Sequence, residues 1–250
     1  MTDPSAPQGR SDRRVPTGTY RLQVQSSFGF GDVGALAGYL RDLGVSHAYL
    51  SPVLQAAPGS THGYDVLDHG RLSEEAGGRE AFDAMVAALH AHGLGIVVDI
   101  VPNHMTVPEP EYLNAPLWSM LRDGPDSKYA RWFDVDWAAA GDRVVLPVLG
   151  SPAAEALAAG EITLATDGGP GRDETVVRYY GHEQPVRRGT VSLPLDQLLE
   201  GQWWHLEFWR AAASTLNYRR FFDVGTLAAI RVEEPEVFDA THRLIADLVR

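Results

Sequence analysis

Asp99, Asn103 and His104 stand where a long apolar run gives out, in Leu94-Gly-Ile-Val-Val-Asp-Ile-Val-Pro-Asn-His104. A carboxylate, an amide and an imidazole together supply acceptors, donors and one group that titrates near neutral pH. A run of Ile and Val bounded by Gly and Pro predicts a strand buried on both faces, as in a parallel sheet. Polar side chains at the carboxyl end of such a strand face the mouth where α/β proteins bind ligands. The local alternative is that Asp99 and Asn103 cap the next turn and His104 is a satisfied loop histidine.

The elements that position this strand precede it. Gly18–Val24 carries β-branched and aromatic residues and predicts a first strand. Asp32 reads as a helix N-cap, followed by Val33, Leu36, Leu40 and Leu43 on one face, with Gly44 as the stop. Val45–Leu50 predicts a second strand, halted by Ser51-Pro52, and Val53–Gly78 a loop. Phe82, Met85, Val86 and Leu89 recur at helical spacing, closed by Gly93. Strand, helix, strand, helix, strand with short links predicts parallel strands joined by right-handed crossovers.

After Pro102 that rhythm breaks. Val144–Leu149, Ile162–Ala165 and Val176–Tyr180 read as short strands among Gly and Pro clusters, such as Asp167-Gly-Gly-Pro-Gly171. That cluster lacks the spacing and the Lys of a phosphate cradle. Helical character is expected from about Leu206 to Leu216, and again after Pro235, which suits the first turn of a helix. The expected division is a disordered lead-in over 1–14, first βα units over 15–104, a β-rich insertion over 105–215 and a return to the main fold over 216–250. A complete (β/α)8 barrel needs about 250 residues without insertions. The fold class expected is therefore α/β, the N-terminal portion of such a barrel, with about three βα units and a long insertion after its third strand.

Composition narrows the partners. The chain has 33 acidic and 21 basic residues among 250, a net charge of −12. Nucleic acid and anionic membrane surfaces both require a basic face, so neither is expected. There is no cysteine, which excludes disulfides and thiolate metal sites. No apolar run approaches the roughly 20 residues of a membrane span, and Met1–Arg14 lacks the apolar centre of a signal peptide. A cytoplasmic protein with an uncharged ligand is expected.

Three features together resemble the α-amylase clan of glycoside hydrolases: Asp99-Ile-Val-Pro-Asn-His104, His62-Gly-Tyr-Asp-Val66 and the insertion after strand three. Within the clan, the chain from Val15 onward is similar to the maltooligosyltrehalose synthase family. The distinctive segments are Gly18-Thr-Tyr-Arg-Leu-Gln23, Tyr49-Leu-Ser-Pro-Val53, Ser73-Glu-Glu-Ala-Gly-Gly78 and Asn217-Tyr-Arg-Arg-Phe-Phe-Asp-Val224. Gly225 departs from the family's usual asparagine, and Glu234 stands where aspartate is more usual.

The resemblance implies an isomerase, an intramolecular glucosyl transferase that turns the reducing-end α-1,4 bond of a maltooligosaccharide into α-1,1. Such retaining chemistry uses a nucleophilic carboxylate and an acid/base carboxyl about 5–5.5 Å apart. In the family these follow strands four and five, beyond Arg250, so no catalytic residue is assigned in this chain and the chain alone is expected to be inactive. Tyr64 matches the aromatic that stacks on a glucose ring, and His104 the histidine that hydrogen-bonds its 6-hydroxyl. His62 is a further substrate-binding candidate. Asp99, Asn103 and Asp65 match supporting positions, Asp99 as partner of an arginine on strand four. Arg219, Arg220 and Trp209 are candidate sugar contacts. Trp209 belongs to the aromatic stretch Trp203–Arg210, which reads equally as glucan platform or as core. One amide without a carboxylate cluster is weak for Ca²⁺, so no metal and no cofactor are expected. A trehalose-releasing hydrolase is the expected pathway neighbour. The alternatives are part of another hydrolase or transferase of the clan, or a non-catalytic α-glucan binder.

Overall fold

The computed structural model describes residues 15–249; the expected lead-in over 1–14 lies outside them. In chain order the elements begin with β1 (Thr19–Leu22), α1 (Phe30–Ala35), α2 (Ala37–Leu43), β2 (His47–Leu50), β3 (Leu54–Ala56), β4 (Val66–Leu72), α3 (Gly78–Ala91) and β5 (Gly95–Val98). Next come β6 (His104–Thr106), α4 (Ala115–Asp123), β7 (Val144–Leu149), α5 (Ala153–Ala158), β8 (Ile162–Gly168), β9 (Glu174–Tyr179) and β10 (His182–Pro185). The last are α6 (Leu195–Glu200), β11 (Trp204–Phe208), α7 (Ala212–Thr215), β12 (Leu227–Ala229) and α8 (Pro235–Leu248). Among the described residues no helix is long and apolar enough to cross a membrane. The described chain forms two compact units.

The first unit comprises residues 15–53, 61–63 and 72–100. Its sheet has the order β1-β2-β5, with every pair parallel and Tyr20, Ala48 and Ile96 in register. This is the expected βαβαβ arrangement. Burial on both faces, expected of the Leu94–Val98 run, belongs instead to β2, where His47, Ala48 and Leu50 are buried. All four residues of β5 are half-buried, and among the described residues β5 has a neighbour on one side only. The helix expected after Asp32 is two helices, broken at Leu36. Asp32 is not the N-cap; it lies inside the first turn of α1, and its carboxylate accepts the Gly29 N–H at 2.8 Å. Gly44 ends α2 with φ +83°, a left-handed conformation that costs glycine little. Phe30 of α1 meets Phe82 of α3 edge-to-face at 5.2 Å, which seals the helices together.

The second unit comprises residues 54–60, 64–71 and 101–249. The region 53–78, expected as loop, contains the hydrogen-bonded pair β3 and β4. Buried Leu54 and Val66 explain the strands, since they join Val101 in one apolar cluster. β8, β9 and β10 form an antiparallel sheet, β7 pairs with β11 in parallel, and β6 pairs with β12 antiparallel. The strands expected near 144, 162 and 176 are β7, β8 and β9. Residues 206–208, expected as helix, belong to strand β11. Trp204 and Leu206 alternate inward there, and helical backbone starts only at Trp209. Pro235 opens α8, as its position predicts. Trp204, Leu146, Leu149, Met120, Leu121 and Leu198 are all buried in the largest core cluster.

Candidate functional site

His104 is where the sequence candidates converge. It opens β6, opposite Ala229 of β12. Its Nε2 lies 2.9 Å from the Tyr64 carbonyl, and its Nδ1 lies 3.0 Å from the Asn103 side-chain amide. The Phe221 ring stacks on the imidazole, 4.1 Å between centroids and 29° between planes. Burial pushes the His104 pKa down; the Tyr64 backbone bond and the Asp65 charge oppose that but do not overcome it. The neutral ring carries a single N–H, so it donates to one of two facing oxygens, the Tyr64 carbonyl at Nε2 or the Asn103 Oδ1 at Nδ1.

The consequence for ligand binding is direct. A bond from His104 to a sugar 6-hydroxyl needs an outward nitrogen, and here both nitrogens face oxygens of the chain itself. His104 is 3% exposed. Its evident work is to tie the Tyr64 backbone to β6. Tyr64 itself is half-buried, packed against Leu54, Val66 and Val101 with Leu244 and Ile245 alongside. Asp65 braces the same turn: its carboxylate accepts the Ser60 hydroxyl at 2.5 Å, and its carbonyl accepts the Ala57 N–H at 3.0 Å. Asn103 is exposed, and its carbonyl accepts the Ile230 N–H at 3.0 Å.

Three residues missed by sequence reasoning hold this arrangement. His69, 4% exposed on β4, donates from Nε2 to the Val101 carbonyl at 2.8 Å, while its Nδ1 has no hydrogen-bond partner. Burial lowers its pKa, so it too is neutral. Asn217, buried, donates to the carbonyls of Asp136 and Arg143 and accepts the Val145 N–H, at 2.9, 2.7 and 2.9 Å. It opens the Asn217–Val224 segment as a staple rather than as a ligand. Phe221 covers His104, and the next residue, Phe222, is 84% exposed.

The remaining candidates scatter. Arg219 is spent on Asp134 at 3.1 Å, and Arg220 on Asp223 at 2.6 Å, although the Arg219 carbonyl accepts from Ala229 beside His104. Trp209 is 55% exposed, with the Arg210 guanidinium 5.2 Å from its ring centroid. Trp204 is core, 1% exposed, with Nε1 donating to the Pro185 carbonyl at 2.8 Å. In the first unit His62 is exposed, and half-buried Asp99 at the end of β5 is 3.4 Å from the Tyr49 hydroxyl. Among the described residues no group of three His, Asp or Glu side chains could hold a metal ion.

Known proteins match this architecture. A family model, the α-amylase catalytic domain, matches residues 30–147. A Mycobacterium tuberculosis protein assigned as a maltooligosyl trehalose synthase is 40% identical over 91% of this chain and 28% of its own length. The solved maltooligosyltrehalose synthase of Arthrobacter ramosus has a TM-score of 0.84 at 42% identity, covering 92% of this chain and 29% of its own. The intracellular maltogenic amylase of Bacillus subtilis is 33% identical, but over only 51% of this chain and 21% of its own length. The chain thus spans less than a third of these relatives. Its fold corresponds to the N-terminal portion of an α-amylase-type (β/α)8 barrel, with β1, β2 and β5 as the parallel strands and the β-rich insertion after them.

Proposed function

Proceeding from the kinship of this chain with the maltooligosyltrehalose synthases of the α-amylase clan, we propose that it forms the opening part of an intramolecular glucosyl transferase. One observation carries the reading. Similarity to the synthases runs through nine-tenths of the chain, whereas similarity to the maltogenic amylase covers half.

The reaction is an isomerisation. A carboxylate attacks the anomeric carbon next to the reducing-end glucose as a carboxylic acid protonates the departing oxygen. The freed glucose turns over, and its anomeric hydroxyl then attacks the glycosyl-enzyme and returns the proton to the carboxylate base. Water must stay out, or hydrolysis wins. The two acids are assigned to polypeptide beyond these residues. This chain contributes part of the wall: the half-buried Tyr64 ring as a face for glucose, with His104, Asp65 and Asn103 fixing the turn that carries it. The Tyr64 ring is uncharged, as the sugar is, and the lowered pKa of His104 favours the neutral imidazole behind it. The substrate is a maltooligosaccharide, met in the cytoplasm. The trehalose-ended product calls for a hydrolase that releases trehalose.

The test is incubation with maltopentaose. The 250-residue chain alone should give no trehalose-ended product, and the chain continued by the remaining synthase polypeptide should give it. Product from the chain alone would overturn the assignment of the acids. Only reducing sugars from the continued chain would make the protein a hydrolase.

A further inference from the structure

A cavity of about 710 Å³ opens beside α5, α6 and β11, within the roughly 300–1,000 Å³ typical of small-ligand sites. It shares no residue with the cluster around His104. Leu157, Ile162 and Leu199 line it with hydrocarbon, and Arg143, Arg187, Asp196 and Glu200 add charge. Among the described residues these four make no ion pair with one another or with any other side chain. Two cations and two carboxylates cancel, so the cavity favours neither an anion nor a cation.

Trp203 also lines the cavity, but its ring is already taken. The Arg187 guanidinium lies 3.9 Å from the ring centroid, and a Cβ on Gly124 would overlap the indole. Recognition therefore falls to the charged groups and the aliphatic wall. The Arg187 guanidinium also donates to the Gly201 carbonyl at 3.4 Å, so the Arg143 fork is the main donor and Asp196 and Glu200 are the acceptors, which suits hydroxyls that do both. An aliphatic wall suits the C–H face of a pyranose.

We propose that this cavity is a second α-glucan site, taking a short maltooligosaccharide segment away from the Tyr64 wall. The proposal rests on the glucan-directed function above and adds to it a place where a long substrate is tethered. Ala154 lines the cavity and is exposed on α5, so Ala154→Trp fills the space without entering the core. Arg143→Ala removes one donor fork and leaves the backbone carbonyl that Asn217 uses.

The experiment is calorimetric titration of maltotriose into the protein, with circular dichroism to confirm folding of each variant. A Tyr64→Ala variant should keep one binding event. Adding Ala154→Trp should weaken that event at least tenfold, and adding Arg143→Ala should weaken it severalfold. Binding that survives both additions unchanged would overturn the proposal. So would binding that vanishes with Tyr64→Ala alone, or that is absent from the unaltered protein. The glucosyl-transfer reading fails separately, in the maltopentaose assay.

Discussion

His104 is buried and His182 half-buried, and they are held by opposite means. His104 faces a backbone carbonyl and a side-chain amide, so it stays neutral and its pKa is pushed down. His182, at the start of β10, faces a carboxylate: its Nδ1 is 2.7 Å from fully buried Glu111, and Glu109 lies 3.9 Å from its Nε2. Burial works against the imidazolium, but the bond to Glu111 and the attraction of Glu111 and Glu109 outweigh it, and the pKa rises. The other Glu111 oxygen accepts the Glu183 N–H at 2.9 Å. A dipole is enough to satisfy a buried neutral ring, whereas a buried carboxylate demands a cation. The turn at Tyr64 is thus tied by an uncharged ring, and the insertion around Glu111 by a contact between carboxylate and imidazole.

The largest break in this contrast should be Glu111→Ala, which strands His182 and the Glu183 N–H. It should cost about 3–5 kcal/mol, read from urea unfolding. His69→Leu should cost less, about 1–3 kcal/mol, because it leaves one buried carbonyl, that of Val101, without its donor. The two sites should also respond to pH with opposite signs. Raised above its unfolded value, the His182 pKa gives stability that is complete below about pH 6.5 and is lost as pH climbs through the folded value. His69 and His104, lowered in the fold, give stability that is lost as pH falls from about 6.5 through their folded values. Urea midpoints measured across that range should show a maximum that His182→Gln moves toward higher pH; an unmoved maximum would deny His182 its role. Phe221→Ala removes the ring over His104 and should cost about 0.5–1.5 kcal/mol, visible as faster exchange of the His104 ring proton. The smallest effect, under about 0.5 kcal/mol, is expected for Arg79→Ala, which loses only an exposed i,i+4 pair with Asp83.

The parallel order of the first unit was readable because each element is local. Gly44 and Gly93 close helices whose apolar spacing is plain, and Val45–Leu50 and Leu94–Val98 are short apolar runs. Errors arose where a pattern supported two structures. Leu206 to Leu216 contains helix-like spacing, yet Trp204 and Leu206 also alternate, and pairing with β7 decides for strand. β3 is only three residues long, too short for any period to show. At the candidate site, the types and places of Tyr64, Asn103 and His104 were legible, but their contacts were not. Nothing in the chain order says that the imidazole at 104 faces the carbonyl at 64, or that Glu111 meets His182.

By itself the sequence determined what is set by neighbours along the chain: βαβαβ periodicity, helix stops at glycine, an acidic and cysteine-free composition, and the residue types at the end of strand β5. Only the tertiary structure decided which histidine has its pKa lowered and which raised, because a pKa depends on burial and partners brought from 40 and 71 residues away. It alone also decided that Asn217 bonds the backbone of Asp136, Arg143 and Val145, and that Arg143, Arg187, Asp196 and Glu200 line one cavity with no ion pair among the described residues. Such placements follow from packing, which the order of residues specifies only through the whole fold.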